Sequence, residues 1–271
     1  MKRIVLLISV FVLISVNIAF AGAVKEEAEV LKVAMECTYP PFNFKDASGE
    51  LMGFDVDIAK ELSKRMNIDI EFVCQEWDGL LPGLLAGKFD MIISTMSITP
   101  ERQKKVDFSS SYRASTGRFV ARKGAGINPY KGDGTPDTEA LEGMKVGVCR
   151  ATTHSNYLDK MFPGVKVVQY GQASNMILDF RAGRTDLIFH GPIKMSASFL
   201  ELPEGEDFEF IGEEIEDPEI FGSGVGVAIR KGNEELLKKI NDALESIFAD
   251  GTFKKLNKKY WDFSVLPSVW K

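Results

Sequence analysis

One local phrase occurs twice in this chain, and it limits the fold more than any other feature. "LLAGKFDMII" (Leu84–Ile93) and "DFRAGRTDLI" (Asp179–Ile188) share a helix end, Ala-Gly, a basic residue, one spacer, Asp and an apolar run. Ahead of the first copy, "LKVAM" reads as a strand. "GFDVDIAKELSKRMN" reads as a helix, with Asp55 as its N-cap and Ile58, Leu62 and Met66 at four-residue spacing. "IDIEFVC" is a second strand, "WDGLLPGLLAG" a short helix ended by Gly87, and "KFDMIIS" a third strand. The second copy follows its own strands, "KVGVC" (Lys145–Cys149) and "VKVVQY" (Val165–Tyr170). Strands alternating with helices imply an α/β chain of two units, each a mainly parallel sheet flanked by helices. Between the units, "RKGAGINPYKGDGTPDTEALEG" is rich in Gly, Pro and polar residues and reads as surface loop. A last strand, "GVGVAIRK", precedes an amphipathic helix from about Asn233 to Ala249 and another over Thr252–Tyr260.

The N-terminus differs from the rest. Lys2 and Arg3 precede an apolar run from Ile4 to about Ile18, and Ala19-Phe20-Ala21 puts small residues at the two positions a signal peptidase reads. This is the pattern of an export signal cleaved after Ala21, followed by a loose leader over 22–30. The alternative, an uncleaved anchor, needs a longer apolar run. Of the 33 basic residues, removal of Lys2 and Arg3 leaves 31 against 39 acidic, a formal charge of −8. A nucleic-acid partner would need a basic face, which no charge run here provides. Three cysteines leave at least one thiol unpaired in a monomer. Cys37 and Cys74 each follow a strand-like run, so a disulfide between adjacent strand ends is one arrangement, with Cys149 as the free thiol. Their spacing fits no zinc site, and no metal or cofactor is expected.

Two lobes joined by crossing segments leave a cleft between them, and in open α/β sheets ligands lie beyond the carboxyl ends of the strands. The residues after each strand are therefore the informative ones. After the third strand, Ser94, Thr95 and Ser97 lead to Thr99-Pro100-Glu101, a helix start with Thr as N-cap and Pro at the first helical position. Arg102 then stands in a first turn, where its planar fork and free backbone N–H groups suit a carboxylate. An exposed arginine on a helix start is the plainer alternative. After the first strand come Glu36 and Tyr39, and after the second, Trp77. The two rings suit a flat or cationic group held between them, with Glu36 as counter-charge. Thr152, Thr153 and His154 occupy a strand-to-helix turn that favours anions.

These segments together resemble the periplasmic solute-binding proteins of polar amino-acid ABC transporters, the group with the histidine- and lysine/arginine/ornithine-binding proteins. The resemblance runs from about Leu31 to Phe263. It is carried by "TYPPFNFKDASGELMGFDVDIAKELSKRMN", "WDGLLPGLLAGKFDMIISTMSITPERQKKVDFS", "KVGVCRATTHSNY", "AGRTDLI" and "FGSGVGVAIRK". It implies the two-lobed type II binding-protein fold, with lobe 1 formed by 31–117 plus 218–267 and lobe 2 by 118–217. It further implies a monomeric periplasmic receptor that closes on a small-molecule amino acid or derivative and delivers it to a membrane permease. By the resemblance Arg102 takes the ligand's α-carboxylate, Thr153 adds a contact on closure, and Ser94, Thr95 and Ser97 form the donor segment. Tyr39 and Trp77 flank the ligand side chain, Glu36 reads its distal positive charge, and Cys149 and Thr152 line the cleft.

One position departs from the family. The aspartate that receives the ligand's α-ammonium falls, by alignment on Asp186, at Gly191 in "DLIFHGPIKM". A buried ammonium without a partner is costly. The octopine- and nopaline-binding members also lack this aspartate, their ligands carrying a substituted amine, and His154 has a parallel there. The sequence thus points to a cationic amino acid or to an arginine-derived, opine-like conjugate. An enzyme on the same scaffold, similar to cyclohexadienyl dehydratase, is the alternative; it would need a positioned acid or base from Glu36, His154 or His190.

Overall fold

The structure is a computed structural model in which residues 30–266 are described. The expected export signal (1–21) and residues 22–29 of the leader lie outside them, and Val30 already belongs to the first strand. In chain order the main strands are β1 (Val30–Met35), β2 (Asp69–Cys74), β3 (Met91–Ile92), β4 (Val106–Phe108) and β5 (Gly117–Arg122). They continue with β6 (Lys145–Cys149), β7 (Lys166–Tyr170), β8 (Leu187–His190), β9 (Phe208–Ile215) and β10 (Ala228–Arg230). The helices are α1 (Phe54–Met66), α2 (Trp77–Leu85), α3 (Pro100–Gln103), α4 (Thr153–Met161), α5 (Ala173–Arg181), α6 (Pro192–Met195), α7 (Pro218–Phe221), α8 (Glu234–Ala249) and α9 (Thr252–Tyr260).

These elements form two five-stranded sheets, ordered β2-β1-β3-β10-β4 and β7-β6-β8-β5-β9. In each, three parallel strands are followed by one antiparallel to its neighbours: β10 in the first sheet, β5 in the second. The lobes therefore repeat one topology, although the fourth strand of the first sheet arrives from far along the chain.

The repeated phrase has a common physical basis. Gly87 and Gly183 take the left-handed conformation (φ 71° and 72°), which ends α2 and α5. Their amides reach back to Leu84 and Phe180, at 3.1 and 2.9 Å. The shared aspartate then clasps the start of the neighbouring strand. Asp90 Oδ2 accepts from the Lys32 amide at 2.9 Å, and Asp186 Oδ2 from the Lys145 amide at 2.8 Å. Each aspartate's own amide donates back to the same residue's carbonyl. One motif thus sets the register of β3 on β1 and of β8 on β6.

Strand periodicity divides the core. Val33 and Met35 of β1 face α1 and α8, whereas Ala34 faces Leu80 and Leu84 of α2. Likewise Leu187 and Phe189 of β8 meet Tyr157 and Leu158 of α4, and Ile188 meets Met176 and Ile177 of α5. In α8, Leu236, Ile240, Ala243, Leu244 and Ile247 are buried at three- and four-residue spacing.

Three local expectations need correction. Gly53, not Asp55, is the N-cap of α1; Asp55 is fully buried and its carboxylate accepts from Tyr112 Oη and Asn43 Nδ2, both at 3.0 Å. A polar residue near a helix start resembles a cap in sequence, and only the tertiary partners distinguish the two. The third strand shortens to Met91–Ile92 because the chain after Ile92 bends into the cleft. The 122–143 segment is irregular as expected but not wholly superficial, since Tyr130 and Leu141 are buried in the second-lobe core.

Candidate functional site

The carboxyl ends of both sheets converge on one cleft. Of the sequence-derived residues, Glu36, Tyr39, Trp77, Thr95, Ser97, Arg102, Cys149, Thr152, Thr153, His154 and Gly191 line it. Ser94 does not. It is 1% exposed, and its Oγ accepts the Glu36 amide at 3.0 Å, fixing the end of β1 against the chain leaving β3.

The backbone is bent sharply where it enters the cleft. Four non-glycine residues among those described have positive φ, and three follow sheet strands at this end: Cys37 (60°), Thr95 (50°) and Ala151 (57°). Such conformations cost of order 1 kcal/mol each and persist where the surroundings hold them. Cys37 is held by its disulfide to Cys74 (Cα–Cα 5.5 Å) and by an amide bond to Asn43. Thr95 is held by its backbone bond to the Asp55 carboxylate.

Arg102 sits where the helix start predicts. Thr99 caps α3 by accepting from the Arg102 amide at 3.3 Å, which orients the side chain inward. Its guanidinium donates to Ser97 O at 3.0 Å and, across the cleft, to Ala151 O at 3.2 Å. It also lies 5.4 Å from the Trp77 ring. No carboxylate pairs with it among the described residues. Burial pushes its pKa down to about 10, so it stays cationic at neutral pH.

At the other end, Glu36 accepts from Thr38 Oγ1 at 3.1 Å. Burial raises its pKa, offset in part by that bond and by the Lys194 charge. Tyr39 stacks with Phe42 at 5.8 Å, and the Lys194 ammonium lies 4.7 Å from its ring centroid. The two expected aromatic clamps therefore each face a cation of the protein itself.

In the second lobe, Thr152 caps α4 through the Ser155 amide (3.2 Å) and donates to Cys149 O (2.7 Å). His154 Nε2 donates to Thr116 O at 3.0 Å, and its ring stacks on His190 at 5.0 Å. His190 Nδ1 accepts from the Gly191 amide at 2.7 Å. Burial, reinforced by neighbouring cations, pushes His154 down to about 4 and His190 well below its usual range, so both rings are neutral. The free Cys149 thiol is pushed up to about 12 by burial and Glu36, which leaves it unreactive.

The cleft is closed. Trp77 Nε1 donates to Ala151 O at 3.2 Å, Arg150 pairs with Asp78 at 2.6 Å, and Ser198 Oγ donates to Pro40 O at 3.2 Å.

Sequence reasoning missed several lining residues, chiefly Lys194, Arg113 and Thr116, and singled out His190 only as an acid or base for the enzyme alternative. Lys194 left a signal, a lone lysine among apolar residues in "GPIKM". Arg113 did not, because "SSYRAS" carries no element start that would orient it.

The sequence pattern of the bacterial extracellular solute-binding proteins, family 3, matches residues 31–263. An L-arginine-binding protein of Pseudomonas aeruginosa is 38% identical over 240 residues, covering 88% of this chain and 90% of its own. The histidine-binding periplasmic protein of Escherichia coli is 37% identical over 267 residues, 98% of this chain and 99% of its own. Among solved structures, an ancestral arginine-binding protein bound to arginine superposes with a TM-score of 0.76 at 36% identity, covering 86% of this chain and 98% of that one.

Proposed function

The chain belongs to the bacterial extracellular solute-binding proteins, family 3, and from that premise we propose that it is the periplasmic binding component of an amino-acid ABC transporter. It takes a cationic amino acid or an arginine-derived, opine-like conjugate into the cleft and presents it to a membrane permease. The observation that carries this reading is Arg102, a half-buried, cationic guanidinium with two backbone carbonyl acceptors and no acid paired with it among the described residues. An unanswered charge in a closing cleft is a seat for a ligand carboxylate. Thr95, Ser97, Thr152, Thr153 and His154 supply polar groups around it, Trp77 and Tyr39 supply flat walls, and Glu36 faces the ligand's distal charge.

The same proposal divides the chain into lobe 1 (31–117 plus 218–267) and lobe 2 (118–217). The two sheets support that division, with Ile220 and Phe221 of α7 leaning on the second-lobe core as the chain returns. Binding without turnover is part of the reading. Glu36 has Thr38 as its side-chain partner, and His154 and His190 stack rather than share a hydrogen bond, so these three candidates form no acid–base pair among the described residues.

Thermal shift of ligand-stripped protein tests the proposal. Arginine, lysine, ornithine, histidine, glutamine, octopine and nopaline are compared in wild type and in Arg102→Ala. At least one ligand should raise the wild-type Tm, and Arg102→Ala should abolish every such shift. Shifts that survive in Arg102→Ala would remove the carboxylate seat from this position.

A further inference from the structure

The charges in the cleft do not balance around an ordinary cationic amino acid. Arg102, Arg113 and Lys194 line the cleft, and Glu36 is the acid among the lining residues. Arg113 is answered in part within its own lobe: it donates to Ala114 O at 2.8 Å and lies in the field of the buried Asp55, while its buried Nε has no hydrogen-bond partner among the described residues. Arg102 is the seat for the α-carboxylate. Lys194 remains. It is only 4% exposed, it lines the cleft, and its ammonium lies over the Tyr39 ring at 4.7 Å. Among the described residues no carboxylate comes within ion-pair range and no acceptor within hydrogen-bond range; Glu36 acts on it at longer reach. A buried ammonium met at contact range by a ring face alone, with its nearest acid at longer reach, is poorly compensated.

Gly191 adds to the imbalance. It precedes α6, three residues before Lys194, and offers no acid to a ligand ammonium. An α-amino acid with a cationic side chain would bring one carboxylate and two cations. Arg102 and Glu36 would answer the carboxylate and one cation. The ligand's α-ammonium and Lys194 would both stay without an anion. A second carboxylate on the ligand removes the defect at both places.

We propose that Lys194 is a specificity-determining residue that seats a second ligand carboxylate, so the cleft takes an amino acid carrying two carboxylates, one on Arg102 and one on Lys194. Two chemistries supply that pair. One is a dicarboxylic amino acid with its acid in the side chain. The other is a cationic amino acid whose α-nitrogen bears a carboxyalkyl group, which leaves Glu36 for the distal cation and places an acid next to the nitrogen within the ligand itself. The inference rests on the reading of Arg102 as the first carboxylate seat.

Gly191 also provides a test by gain of binding. A Cβ there would meet nothing nearer than 3.8 Å, from His154 Nε2 and Thr116 O, and its φ is −59°. The site therefore has room for a side chain, and Gly191→Asp should supply the missing acid without strain.

Calorimetric titration of the ligand-stripped full chain with L-arginine, L-glutamate, octopine and nopaline decides the matter. At least one dicarboxylate should bind ten or more times tighter than arginine; octopine and nopaline above glutamate identify the N-carboxyalkyl source, and the reverse order the acidic side chain. Lys194→Met should weaken the dicarboxylate at least tenfold and strengthen arginine, Lys194→Arg should retain the dicarboxylate preference, and Gly191→Asp should strengthen arginine. Arginine binding tighter than every dicarboxylate in wild type overturns the proposal, whatever the variants do. So does Lys194→Met weakening arginine and the dicarboxylates equally. Arg102→Ala separates the two readings: if it removes all binding while Lys194→Met changes no preference, the first seat stands and the second falls.

Discussion

Glu36, Arg102 and the two histidines owe their properties to position rather than to residue type. His154 and His190 are the chain's two histidines, and folding stacks them against each other away from water. Both pKa values are depressed, His154 to about 4 against 6.5 for a free imidazole. The unfolded chain therefore binds more protons than the folded one between pH 6.5 and 4, so stability is full above pH 6.5 and is lost as pH falls through that window. Melting temperature across pH 7.5 to 4 should decline below 6.5, and the double variant His154→Gln/His190→Gln should flatten the decline. An unchanged slope in the double variant would place the acid sensitivity in the carboxylates instead.

Among the elements, the twin turns after α2 and α5 allow the cleanest comparison. At Gly87 and Gly183 a Cβ would meet nothing within 4 Å, so the cost of a side chain there is conformational alone. Gly87→Ala and Gly183→Ala should each lower stability by about 1 kcal/mol, the ordinary penalty for a left-handed alanine. Denaturant unfolding measures both. A much larger loss at one turn would mean that the two copies of the motif are not equivalent in the folded molecule. Contrast Gly222, whose Cβ would lie 1.9 Å from the Ile98 carbonyl oxygen. There the backbones approach too closely for any side chain.

For the whole molecule, the question is what holds the two lobes together over the ligand. Arg150 and Asp78 form an ion pair from opposite sides of the cleft, with side chains 46% and 35% exposed. Water screens such a pair, so its worth is small and salt-dependent. Asp78→Asn should weaken ligand binding only a few-fold, with the deficit shrinking as salt rises, while the Tm of the ligand-free protein stays unchanged. A lowered ligand-free Tm would show that the pair stabilises a lobe rather than closure. The Cys37–Cys74 bond works inside one lobe, joining the chain just after β1 to the end of the neighbouring strand β2. Chain-entropy arguments for a loop with a sequence separation of 37 residues give about 4 kcal/mol. Reduction should lower Tm accordingly, and Cys149, buried in the closed cleft, should react with thiol reagents only on cleft opening or unfolding.

The sequence by itself determined the periodic elements and the points where the chain must turn. β6, β7, α8 and α9 fall within a residue of where apolar spacing places them, because burial of one face is a local demand repeated along the element. The helix start at Thr99-Pro100 likewise delivered Arg102 to the cleft, since a cap fixes the direction of the next side chains. Only the tertiary structure decided which polar groups meet. Asp55 reads as a cap and is instead a buried acceptor for Tyr112 and Asn43. Ser94 reads as a ligand donor and instead holds the Glu36 amide. Lys194 is a lone lysine among apolar residues with no partner legible in the sequence, and α6 carries it under the closed lobes, over Tyr39. Apolar burial repeats at fixed sequence spacing, whereas pairing of charges depends on residues brought together from distant parts of the chain, and no local pattern records that.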